Sequence, residues 1–64
     1  MNNLSAIRKT KKLSQQYVAN RLNVASRGTV SKWETGKIDI PSSKLEQLAK
    51  LYGCTVDDLL RKEE

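Results

Sequence analysis

Histidine is absent from these 64 residues, and cysteine, proline and tryptophan each occur once. The lack of histidine removes the commonest general base and the commonest metal ligand. The lone cysteine, Cys54, has no second cysteine to close an internal disulfide and no histidine to share a zinc ion. A reducing, cytoplasmic setting follows as the default. Cys54 itself reads as a small apolar residue of the interior. No apolar run approaches the ~20 residues of a membrane span, and Met1-Asn2-Asn3-Leu4 lacks the apolar core of a secretory signal. No glycine-rich phosphate loop, no nucleophile beside a base and no paired carboxylate set in a cleft is visible. A chain this short forms one domain, residues 1–64, and buries only ~60% of the surface its unfolded form exposes. It has room for one small core and no large cleft. These absences weigh against an enzyme, and no cofactor or metal is expected.

Charge is plentiful and unevenly placed. Of the net +5, the segment Met1–Lys37 contributes eight Lys/Arg against one acid, Glu34, while Ile38–Glu64 carries four Lys/Arg against six acids. One half is basic and the other mildly acidic, a pattern that suggests a face meeting a polyanion.

Helical spacing recurs along the chain, and alternation at period two is brief, from Lys37 to Pro41. The expected architecture is an all-α, compact five-helix bundle. A first helix fits residues 3–11, with Leu4 and Ile7 on one face and Leu13 closing the segment. Ser14 is a good N-cap for a second helix over 15–22, whose buried stripe is Val18, Ala19 and Leu22. Asn23 suits its exit, because asparagine tolerates the left-handed conformation, and Val24 tucks back inward. Ser26 caps a third helix over 27–35, with Val30 and Trp33 inward and Gly36 at its stop. After a loop in which Ile40 dips inward, Pro41 or Ser42 starts a fourth helix over 43–52, carrying Leu45, Leu48, Ala49 and Tyr52, and Gly53 ends it. Thr55 caps a last helix over 56–62, with Val56, Leu59 and Leu60 inward. Asp57 and Asp58 sit in its first turn and Arg61 and Lys62 in its last, as the helix dipole favours.

The outward positions of the third helix are Arg27, Gly28, Thr29, Ser31 and Lys32. These are donors, acceptors and one residue whose missing side chain permits close backbone approach. A helix seated in the major groove of DNA needs such groups near its N-terminus.

The runs Ser14-Gln15-Gln16-Tyr17-Val18-Ala19-Asn20-Arg21-Leu22 and Thr29-Val30-Ser31-Lys32-Trp33-Glu34-Thr35-Gly36-Lys37 carry a resemblance. With Pro41, Leu48-Ala49-Lys50-Leu51-Tyr52-Gly53 and Val56-Asp57-Asp58-Leu59-Leu60, they resemble the phage-repressor family of helix-turn-helix domains (Cro/cI-type, or XRE-type) over nearly the whole chain. Phage repressors are among the examples from which this docking mode is described. The resemblance implies that the third helix reads the major groove, with Arg27, Gly28 and Lys32 at base edges and Thr29 and Ser31 at bases or phosphates. Ser14 and Gln15, at the start of the helix that crosses the backbone, and Lys37, just after Gly36, match phosphate-contacting places. Arg8 and Glu34 match a structural ion pair. Trp33 is read as core, and Tyr17 as either a backbone contact or filler. The chain departs from the pattern by one extra residue between Leu22 and Trp33, within Asn23–Gly28, which makes Lys32 a firmer match than Arg27 or Gly28.

The implied role is sequence-specific binding of double-stranded DNA by a small stand-alone transcriptional regulator, most often a repressor, in a bacterial or phage setting. Such domains pair on pseudo-palindromic operators, and Leu51, Val56, Asp57 and Leu60, on the acidic half, are the candidate homodimer surface. The alternative is a protein-interaction module, such as an antitoxin or anti-repressor, that uses the same fold to hold a partner protein. The chain closes on Lys62-Glu63-Glu64 soon after the fifth helix, with no separate partner-binding extension in view, which favours DNA.

Overall fold

Each helix starts and stops where local chemistry turns the chain. The computed structural model describes residues 2–61, which run as α1 (Leu4–Thr10), α2 (Gln15–Leu22), α3 (Arg27–Thr35), α4 (Ser42–Tyr52) and α5 (Val56–Leu60). The all-α, five-helix architecture is therefore as expected, with α2 and α3 on their expected bounds. α1 is one residue shorter at each end than expected, α4 starts one residue earlier, and α5 stops two residues earlier. α4 begins at Ser42 because Pro41, with φ at −57°, sits at its N-cap. The last expected span, 56–62, ends at Leu60, where Arg61 turns extended, and Lys62 lies outside the described residues.

Two of the expected caps form in full. The Ser14 hydroxyl oxygen accepts from the Tyr17 N–H at 3.0 Å. Thr55 and Asp58 form a reciprocal capping box, with bonds of 3.0 and 3.2 Å. Ser26 is a correction: it stands at the N-cap of α3 in extended backbone, but its side chain accepts no capping bond. Only its carbonyl is used, accepting from Thr29 N–H at 3.1 Å.

α1 to α4 all leave through a left-handed residue: Lys12, Asn23, Gly36 and Gly53. In each case the next residue's N–H reaches back to a carbonyl five positions earlier. These bonds are Leu13 to Arg8, Val24 to Ala19, Lys37 to Lys32 and Cys54 to Ala49, at 2.9–3.2 Å. This satisfies carbonyls that the helix end would otherwise leave free. It also folds Leu13, Val24 and Cys54 back against the core.

That core is Leu4, Val18, Ala19, Leu22, Val30, Trp33, Leu48, Ala49, Tyr52 and Leu59. α2 packs on α3 and α4, α1 on α3 and α5, and α4 on α5. The first and last helices are tied directly, since the Asn3 N–H donates to the Leu59 carbonyl at 2.9 Å. Leu60 is a second correction. It is 49% exposed, because the helix stops with it and no further described element covers it.

Candidate nucleic-acid interface

α3 is held from behind and open in front. Val30, Trp33 and Glu34 are its buried residues, and Asn2 adds a side-chain N–H bond to the Trp33 carbonyl at 2.8 Å. Helical spacing then puts Gly28, Ser31, Lys32 and Thr35 on the opposite side, at i, i+3, i+4 and i+7. Lys32 and Thr35 are exposed, Gly28 and Ser31 half-buried, and Arg27 is exposed at the helix start. Thr29 lies half-buried on the flank. Thr35 is a member of this face that the sequence reading left out. Its hydroxyl donates back to the Ser31 carbonyl at 3.0 Å, and its exposed position continues the row one turn beyond Lys32.

A buried ionic junction sets the position of that face. Arg8 Nε donates to Glu34 Oε2 at 2.6 Å and Nη2 to Oε1 at 3.3 Å, while Nη1 donates to the Leu13 carbonyl at 2.7 Å. Gln15 Nε2 adds a bond to Glu34 Oε1 at 3.0 Å. Side-chain exposure is only 11% for Arg8 and 6% for Glu34. The hydrogen bond to Glu34 is the main cause that raises the already high pKa of Arg8, outweighing burial, so the guanidinium stays charged. The end of α3 is thus pinned to α1 and to the first residue of α2. Gln15, expected on phosphate, is half-buried and has part of its amide committed inward. Ser14 and Lys37 are exposed.

The link between α2 and α3 is the four-residue stretch 23–26, and Val30 and Trp33 beyond it lie in the core. A further brace comes from α4. Lys44 Nζ donates to the Leu22 carbonyl at 2.7 Å, placing a cation on the C-terminal end of α2. No local signal marked Lys44, because its partner lies 22 positions away in sequence.

A helix-turn-helix family model matches residues 4–59. The chain is a helix-turn-helix domain of the phage-repressor (XRE) type. In this helix-turn-helix domain, α2 and α3 are the paired helices, joined through residues 23–26. The HTH-type transcriptional activator BcrR of Enterococcus faecalis is 39% identical over 61 residues, a match covering 95% of this chain and 29% of that protein. The chain therefore spans less than a third of that relative's length.

The residues expected at a dimer contact do not fall on one continuous groove. Leu51 lines a shallow groove with Arg21, Leu22, Gln47 and Lys50, whereas Leu60 borders another with Ile38, Ile40 and Leu45. Val56 is half-buried against the core and Asp57 is exposed. Tyr17 is exposed, at 43%.

Proposed function

We propose that this helix-turn-helix domain binds double-stranded DNA sequence-specifically and regulates transcription, with α3 seated in the major groove. The outward row on α3, backed by Val30, Trp33 and Glu34, carries this reading. Lys32, with Arg27, Gly28, Ser31 and Thr29, is assigned to base edges, where a good bidentate contact discriminates by about 1–3 kcal/mol. Ser14, Gln15 and Lys37 are assigned to the sugar-phosphate backbone, where contacts position the helix without reading sequence. Two copies on a pseudo-palindromic site would place their recognition helices ~34 Å apart, with Leu51, Val56, Asp57 and Leu60 as the surfaces nearest a partner copy.

Selection of bound duplexes from a random pool tests the whole reading at once, since it returns motif, symmetry and half-site spacing. Lys32→Ala should then lower affinity by about 1–3 kcal/mol and relax preference at one position, while Lys37→Ala weakens all sequences alike. Equal binding by wild type and both variants would sink the mechanism.

The sign of regulation has two supports that point apart. The family resemblance leads to repression, by occupying a promoter, and the relative from Enterococcus faecalis is named an activator. We infer repression when the site overlaps a promoter. A reporter pair with the selected site over or upstream of a promoter separates the two outcomes.

A further inference from the structure

The four left-handed helix exits differ in one respect. Gly36 and Gly53 take that backbone without a Cβ clash, and asparagine, as at Asn23, is among the side chains that tolerate it. Lys12, with φ at 59°, is neither. Its backbone would be better served by glycine, so the side chain is not there for the turn. Lys9, Lys11 and Lys12 are all exposed. Among the described residues the ion pairs are Arg8–Glu34 and Arg61–Asp58, so none of these three lysines is neutralised there.

Their position matters for the α2 side of the phosphate clamp. Lys12 precedes Ser14 by two residues, a chain distance of at most about 7 Å. The groups assigned to phosphate at that corner are neutral, and both are partly engaged: Ser14 Oγ accepts from Tyr17, and Gln15 Nε2 donates to Glu34. Arg8, the other cation close by in sequence, is committed to Glu34 and the Leu13 carbonyl. The free positive charge at this corner is left to the lysines.

We propose that the exposed turn bearing Lys9, Lys11 and Lys12, centred on Lys12, is a DNA phosphate-binding site that supplies the charge this side of the clamp otherwise lacks. The proposal rests on the DNA-binding reading of α3 and adds a contact to it.

The test uses the full chain as wild type, Lys12→Gly, Lys12→Gln and Lys12→Arg. The probe is a mixed-sequence duplex of about 20 base pairs, enough for two half-sites a turn apart. Binding is measured across a salt series. Lys12→Gly and Lys12→Gln should each flatten the slope of log K against log salt by about one. This corresponds to a roughly 10-fold loss of affinity at ~50 mM salt that shrinks to about 2.5-fold at ~200 mM. Lys12→Arg should keep the wild-type slope. Lys12→Gly should also melt at or above wild type, because it relieves the left-handed strain, which separates lost binding from lost folding. Unchanged slopes in both the glycine and glutamine variants would overturn the proposal and leave solvated surface charges only. A wild-type chain with no salt-sensitive retention of the duplex would overturn the DNA-binding reading itself, and this site with it.

Discussion

Gly28 has no backbone need to be glycine. A Cβ built there meets only the Ser26 hydroxyl, at 3.3 Å, and that side chain has no capping bond to lose. Alanine favours a helix by up to about 1 kcal/mol over glycine, so Gly28→Ala should raise the melting temperature by roughly 4 °C. The same variant should weaken DNA binding, since the added methyl stands where the α3 backbone would approach the groove floor; unaltered affinity would show that it stays clear. Tyr52 poses a different question. The residue is 1% exposed, and its hydroxyl has no hydrogen-bond partner among the described residues. Burial, with help from Glu34, pushes its pKa from 10.0 up to about 12. Below pH 10 the phenol is neutral in both folded and unfolded chains, and its contribution to stability is complete. Between 10 and about 12 the unfolded chain ionises first, so about 2–3 kcal/mol is lost as pH rises. Tyr52→Phe should remove that alkaline loss and, by discarding an unpartnered hydroxyl, leave neutral-pH stability equal or roughly 1 kcal/mol higher. Urea titrations across that pH window check both parts.

At the scale of elements, Glu34 is where three helices meet, and its neutralisation should be felt well beyond α3. Glu34→Gln leaves Arg8 facing an amide in a largely dry junction, and about 3 kcal/mol of stability should be lost in urea denaturation. Replacing both partners with methionine should restore much of it; a double variant as weak as the single would assign the effect to packing instead. The contrast between this junction and the helix ends explains what was legible in the sequence. Asn23, Gly36 and Gly53 announce their turns because their residue types suit a left-handed backbone, and Val30 with Trp33 shows the inner side of α3 by spacing alone. Lys12 makes the same turn with no such signal. The bond from Gln15 to Glu34 spans 19 positions and that from Lys44 to Leu22 spans 22, distances at which no local pattern speaks. Thr35 lies a full turn beyond the N-terminal end of α3, where base-reading side chains are expected, so its position gives no such signal. Leu60 has the spacing of a core residue but no described element laid over it.

For the whole molecule, residues 1–37 carry a net charge of +7 and residues 38–64 one of −2, and the proposed DNA contact draws on the basic part. If about five phosphates are neutralised, log K should fall with log salt at a slope near −4 to −5. A slope near zero would mean that the +5 net charge does not act on DNA at all. The arrangement of the chain's ends has a bearing on how the fold is reached. Asn3 is joined to Leu59 and, through its side-chain amide at 3.4 Å, to the Asp58 carbonyl. Translation delivers the N-terminus first, so α1 can dock on α3 through Arg8 and Glu34, but its tie to Leu59 waits until α5 has left the ribosome. A nascent or prematurely terminated chain can therefore contain all of α3 and still lack the Asn3–Leu59 closure, which makes α5 the latch on α1.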